Sequence, residues 1–273
     1  MVDGDHIEII ILRPKSHSTH DQADAVREAV ALRADVILTH MQWPQVAKKF
    51  FLPFTRDIPL VLWGLDDGSE DSIEALNRRG ENVTGVTVQY LQLILKRFEL
   101  MKEVRGSARR AAFVAAEGPD PSTDWLEEEK RRQSALIAAG AQGLGLDFAM
   151  IELPTHVSSE TLVRVLRDAR IDLVELGAAF PPELFGALPA SRIVASGHGS
   201  EAARGGALLG GWTIGFVESA IRIAAKIIRG EQAAAIPVER AMQFGLAINL
   251  ATARKLGITI SQSLLLRATE VFE

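Results

Sequence analysis

Short apolar runs rich in β-branched residues alternate along this chain with amphipathic stretches of helical period. Residues 7–12 (IEIIIL), 36–38, 58–63 (IPLVLW) and 82–88 read as strands, bounded by charged residues, Pro or Gly. Between them, residues 21–33, 45–51 and 72–79 carry the helical period. A longer helix over 91–104 follows, and the rhythm restarts with strands at 111–115, 147–151, 172–176 and 192–195. Helices at 124–139, 159–169 and 182–188 separate these strands. The tail predicts a helix over 214–229, a strand at 244–248, a helix over 250–256 and a short helix from Ser261. Gly140, Gly230 and Gly257 fall just past helical patterns, where a left-handed C-terminal glycine costs little. Apolar strands interleaved with amphipathic helices predict an α/β fold of parallel sheets covered on both faces. The restart predicts two similar doubly wound, Rossmann-like lobes.

Composition narrows what such a fold can do. The 273 residues are 47% hydrophobic and 24% charged, which suits packed cores and argues against disorder. The formal net charge is −5 with no long Lys/Arg block, so a phosphate backbone is a poor partner and nucleic acid is not expected. Cysteine is absent, which excludes disulfides, thiolate nucleophiles and Cys-ligated metals. No apolar run of about 18 residues predicts a membrane span. The chain opens Met-Val-Asp-Gly-Asp-His, without the basic and apolar regions of a secretory leader.

In parallel sheets, ligands bind where loops leave the carboxyl ends of the strands. That rule selects Thr39-His40-Met41-Gln42, Gly64-Leu65-Asp66-Asp67, Glu117-Gly118, Gly177 and Gly197-His198. Each is also an ordinary turn composition; as a set on two lobes they are expected to line one cleft. Catalytic motifs fail one by one. In Ser196-Gly197-His198-Gly199-Ser200, His198 stands where a nucleophile turn needs serine. Gly205-Gly206 and Gly210-Gly211 lack the lysine and the spacing of phosphate or dinucleotide loops. His17 and His20 lie in a polar loop, and the acids 66, 67, 70 and 71 suit a helix start as well as a cation. No enzyme, no cofactor and no metal is expected. Aromatic residues are scarce, at 6%, so Trp43, Trp63 and Trp212 stand out as flat faces for a planar or apolar ligand, with core packing the alternative for Trp63. Trp125 reads as packing.

The tail carries a more specific pattern. Ile236-Pro237-Val238-Glu239, then Phe244-Gly245-Leu246-Ala247-Ile248-Asn249-Leu250-Ala251-Thr252-Ala253, Leu256-Gly257, Ser263-Leu264-Leu265, Arg267-Ala268 and Glu270-Val271 form a continuous signature. Upstream, Asn82-Val83-Thr84-Gly85-Val86 and Gly205-Gly206-Ala207-Leu208 with Gly211-Trp212 extend it. The chain resembles the ABC-transporter substrate-binding proteins related to tryptophan- and tyrosine-binding lipoproteins. That resemblance implies a type I periplasmic-binding fold closing on a small ligand, with lobe one at 1–88 and 205–240 and lobe two at 89–204 and 241–273. It also implies an ABC permease as partner and a periplasmic location, against a cytoplasmic one if the chain starts where it is written.

Three departures from the family pattern bear on the site. Asp66-Asp67-Gly68 replaces the family's Asp-Pro-Val, and Trp212 stands near a missing tyrosine. The match also begins at the family's second strand, so the first lobe is expected to lack its first strand and helix. A lobe so built has open strand edges, and a homodimer by strand exchange or edge pairing is one way to repair them. The expected function is capture of a small solute, an amino acid or aromatic compound among the candidates, for an ABC import system. Its expected contacts are Thr39, His40, Gln42, Trp63, Gly64, Asp66, Glu117, Gly177 and Trp212. The rival reading is a cytosolic small-molecule sensor or effector-binding domain of the same fold.

Overall fold

The structure, a computed structural model, describes residues 7–14, 19–41, 47–65, 72–117 and 124–273. In chain order it begins with α1 (Thr19–Ala31), β1 (Ile37–Met41), β2 (Leu60–Leu65), α2 (Ile73–Arg78) and β3 (Val83–Val88). Next come α3 (Tyr90–Val104), β4 (Arg110–Ala116), α4 (Asp124–Gly143), β5 (Asp147–Leu153), α5 (Ser159–Asp168), β6 (Leu173–Leu176) and β7 (Val194–His198). The last third holds α6 (Gly199–Arg204), β8 (Leu209–Ile214), α7 (Phe216–Ile228), β9 (Glu239–Ala241), β10 (Gln243–Asn249), α8 (Leu250–Leu256), α9 (Gln262–Leu265) and β11 (Glu270–Phe272). The chain divides into two compact units, Met1–Gln89 with Gly215–Ala241 and Tyr90–Ile214 with Met242–Glu273.

The first unit is built on a parallel sheet in the order β1-β2-β3-β9. Its strands are apolar because both faces are covered: Val61 and Val86 meet Ala220, Ile223 and Ile227 of α7 in one core cluster. Those three α7 residues recur at helical spacing, which puts one stripe of the helix on the sheet. Polar residues of the 82–85 motif hold the returning chain. Thr84, fully buried, donates its hydroxyl to the Ile236 carbonyl at 2.8 Å. The Asn77 amide donates to the carbonyls of Val83, Ala233 and Ile236. Gly85 pairs with Leu62, and a Cβ there would lie 1.8 Å from the Leu62 carbonyl oxygen.

The second unit carries a seven-stranded sheet in the order β11-β10-β8-β7-β6-β4-β5, parallel except for β10 against β8. α3 and α4 cover one face, where Phe98, Met101, Ile137 and Leu173 share a core with the tail's Ile248 and Leu264. The opposite core holds Leu162 and Leu166 of α5 with Val174 and Phe185. The tail motif is largely architecture. The Asn249 side chain caps α8 by accepting from the Thr252 N–H at 2.7 Å, and its amide donates to the Ala203 carbonyl at 2.7 Å. The Thr252 hydroxyl donates to the Gly206 carbonyl at 3.0 Å.

Two expectations are corrected. Residues 7–12 form no strand: they run as exposed irregular chain, because β-branched residues gain little from extended backbone without a ladder to join. Residues 205–214, expected with the first lobe, instead form the turn that leaves α6 and then β8 inside the seven-stranded sheet. The glycine pair that disguised β8 is required by close approach. A Cβ on Gly210 would lie 2.2 Å from the Gly199 carbonyl oxygen, and one on Gly211 would meet the Arg97 side chain at 3.1 Å.

Candidate functional site

The carboxyl ends of four neighbouring strands in the second unit gather the expected residues. Along the order β8, β7, β6, β4 stand Trp212, His198, Gly177 and Glu117. Gly177 leaves β6 with its N–H donated to the Val114 carbonyl at 2.9 Å, and a Cβ would sit 3.1 Å from that same oxygen. Glu117 is exposed just past β4, its N–H donated to the Leu153 carbonyl at 2.9 Å. Trp212 is half-buried and pairs with Gly245, whose missing side chain is the space its indole occupies; a Cβ there would be 2.1 Å from the ring. This tryptophan therefore belongs to the second unit, not the first.

Beneath this rim lies an ionic network that the sequence pattern does not single out. Arg97, on the buried face of α3, is 2% exposed and Glu175, on β6, is fully buried. The guanidinium grips the carboxylate with two bonds, Nε to Oε2 at 2.9 Å and Nη2 to Oε1 at 2.5 Å. Its remaining Nη1 donates to the Gly211 carbonyl at 3.3 Å, and the buried Ser196 hydroxyl donates to Glu175 Oε2. The network thus ties β6, β7 and β8 to α3 at their carboxyl ends. A charged residue inside the apolar run Leu173-Val174-Glu175-Leu176 is the signal that points to it, since an unpaired buried carboxylate would not be tolerated.

The network sets the electrostatics of its neighbours. Tyr90, the chain's one tyrosine, opens α3 at this end of the sheet. Burial, and then the Glu175 carboxylate, push its phenol pKa up to about 12, so it stays protonated and able to donate. His198 keeps exposed surface at the end of β7; partial desolvation and then the Arg97 guanidinium hold its pKa below the ordinary imidazole value. A neutral imidazole and a neutral phenol therefore border a fully compensated ion pair. This arrangement can donate and accept hydrogen bonds to a small polar solute.

In the first unit, Thr39 and His40 lie on β1, and Trp63 and Gly64 on the adjacent β2. His40 pairs in register with Trp63, so both side chains share a face, their ring centroids 6.1 Å apart and tilted by 48°. Trp63 is half-buried and packs against the α7 core, while His40 is exposed. Gln42, Trp43 and Asp66, together with the acids 67, 70 and 71 and His17, lie outside the described residues. Among the described residues, no three His, Asp or Glu side chains come together as a metal site, and no helix is long and apolar enough to cross a membrane.

Residues 204–272 match the family model of ABC transporter substrate binding proteins. No curated protein matches the chain. Solved structures share its fold. A conserved domain protein from Vibrio cholerae is 19% identical with a TM-score of 0.73, covering 93% of this chain and 84% of that one. The ABC domain from Streptococcus pneumonia in complex with L-Trp is also 19% identical, with a TM-score of 0.70 and the same coverage. An ABC transporter periplasmic solute binding protein from Actinobacillus succinogenes with bound D-allose is 16% identical, with a TM-score of 0.58, covering 87% of this chain and 85% of that one. The fold is that of the type I periplasmic-binding proteins. The chain carries the ABC-transporter substrate-binding signature across its C-terminal stretch, as the tail residues indicate.

Proposed function

We propose that this protein is the solute-binding component of an ABC import system and delivers a small molecule to its permease. The observation that carries the reading is the family match over 204–272 on a fold shared with solute-binding proteins along most of the chain. Each unit offers candidate ligand contacts at its own strand ends. In the second unit these are His198, Gly177, Trp212, Glu117 and Tyr90; in the first they are Thr39, His40, Trp63 and Gly64, and Gln42 and Asp66 remain candidates from the sequence. Function then rests on a binding equilibrium in which the ligand favours one arrangement of the protein, and no proton transfer or covalent step is needed. Indole and imidazole faces with few charged groups at the second-unit rim favour a planar, uncharged-ringed solute, an aromatic amino acid first. A monosaccharide is the competing ligand, since one structure of the same fold holds D-allose.

The test is a thermal-shift panel of amino acids and monosaccharides at increasing concentration. A solute that binds only the native protein raises the melting temperature in proportion to the logarithm of its concentration above Kd. An aromatic amino acid is expected to do so, and His198→Ala to weaken the response. A response to sugars alone would reject the ligand assignment while keeping the class. No response to any solute would reject the binding function.

A further inference from the structure

We propose that the amino-terminal end of the seven-stranded sheet is a docking surface for an anionic phospholipid membrane, its arginines meeting lipid phosphates. The turns entering β4, β6 and β7 lie side by side there, because these strands are parallel neighbours in the order β7-β6-β4. Arg105, Arg109 and Arg110 come from the approach to β4, Arg170 from the turn before β6 and Arg192 from the turn before β7. Backbone bonds knit the three turns: the Asp172 N–H donates to the Arg110 carbonyl at 3.0 Å, and the Val194 N–H to the Asp172 carbonyl at 2.9 Å. The Arg105 guanidinium donates to the Arg192 carbonyl, 87 positions away. The patch is thus assembled by the fold, and no basic run marks it in the sequence.

Arg109, Arg110, Arg170 and Arg192 are exposed and Arg105 is half-buried; among the described residues none of the five has a carboxylate partner. Asp172, in their midst, spends Oδ2 on the N–H groups of Arg109 and Arg110 at 2.7 and 3.1 Å. Asp147 stands in register with Arg110, and Arg167 and Asp168, ending α5, add one charge of each sign. A clear positive excess remains on a chain whose net charge is −5. The backbone shows the same bias. Among the described residues three non-glycines hold a positive φ, all arginines: Arg33 in the first unit and, here, Arg170 at 55° and Arg192 at 57°. That conformation suits glycine or asparagine, and its strain at two exposed arginines points to a use for them. Guanidinium forks match phosphate oxygens two at a time. Turns set apart by the strand spacing of about 4.8 Å spread these cations along a row instead of converging them on one anion, which suits an array of phosphates. A membrane meets only this end of an acidic protein, and charges more than about 8–10 Å away are screened. The strand ends that carry Gly177 and His198 lie at the opposite end of the same sheet and stay uncovered.

The test is sedimentation of the full chain with vesicles. Vesicles of equal parts phosphatidylcholine and phosphatidylglycerol are expected to carry the protein down at low salt, less so as salt rises, and vesicles of phosphatidylcholine alone to leave it in solution. Arg170→Gly with Arg192→Gly relieves the backbone strain while removing two cations. That variant should keep or raise the melting temperature and bind the mixed vesicles about thirtyfold more weakly. Arg109→Gln with Arg110→Gln, which leaves those turns untouched, should weaken binding by the same factor. Arg33→Gly with Arg229→Gln removes equal charge from the first unit and should bind as the wild type does. Equal binding to both kinds of vesicle, or patch variants that bind no more weakly than the first-unit variant, would overturn the proposal. So would failure to bind the mixed vesicles, with or without capture by double-stranded DNA.

Discussion

Removing one partner of the Arg97–Glu175 pair perturbs the second unit at its most exacting point. In Arg97→Leu the Glu175 carboxylate, fully buried, keeps the Ser196 hydroxyl as its one hydrogen-bond partner among the described residues. In Glu175→Leu a guanidinium that is 2% exposed keeps the Gly211 carbonyl as its one partner among the described residues. Stripping one member from a buried, hydrogen-bonded ion pair costs about 3–5 kcal/mol, because the remaining charge is left without compensation. For a protein of this size each kcal/mol moves the melting temperature by about 2–4 °C, so each single variant should melt about 6–20 °C lower. The double variant Arg97→Leu with Glu175→Leu removes both charges and fills the space with apolar side chains, which restores most of the loss. Urea unfolding of the wild type, both single variants and the double variant completes a thermodynamic cycle. Losses under about 1 kcal/mol in the single variants, the value of a surface pair, would refute the reasoning. So would a double variant whose loss equals the sum of the two singles.

Other consequences are smaller and local. Gly210→Ala forces a Cβ to 2.2 Å from the Gly199 carbonyl oxygen and should cost about 1–3 kcal/mol in chemical denaturation. Asn249→Ala removes the α8 cap and its bond to Ala203, and a loss of about 1–2 kcal/mol is expected in the same assay. Acid titration should weaken the first unit through Glu74 and Glu239. Side-chain hydrogen bonds from Arg240 to Glu74 and from Arg222 to Glu239 hold both carboxyl pKa values below the ordinary range. Because the folded values are depressed, this stabilisation is full above the unfolded pKa near 4.5 and is lost as pH falls through the folded values. Unfolding followed against pH should show this dependence, and Glu74→Gln with Glu239→Gln should flatten it. Ligand addition should change tryptophan fluorescence, and Trp63→Phe with Trp212→Phe should abolish the change; an unaltered response would place the ligand elsewhere.

Much of the fold was legible because covered parallel strands announce themselves as apolar runs. β2, β3, β4 and β6 lie within a few residues of their expected places, and helices such as α3 and α8 follow their periodicity. β8 was hidden because Gly210 and Gly211 resemble loop residues, although they are strand glycines that admit α6 and Arg97. Residues 7–12 misled in the opposite sense, since strand composition alone does not place a segment in a ladder. At the site, strand-end residues could be chosen from topology alone. The buried pair could not: Arg97 and Glu175 are 78 positions apart, and only the packing of α3 on β6 brings them together. The tail signature includes residues such as Asn249 and Thr252, whose side chains bond to the Ala203 and Gly206 carbonyls, so it speaks of the fold more than of the ligand.

Calorimetric titration of the purified protein with L-tryptophan, other aromatic amino acids and monosaccharides tests the central claim most directly. A solute-binding component should give one saturable event per chain for a member of this set. The heat-capacity change should be negative, because an apolar ring or sugar face leaves water. The affinity should fall when His198 or Trp212 is replaced by alanine. Titrations without saturable heat for any of these solutes, in a protein shown to be folded by circular dichroism, would contradict the account.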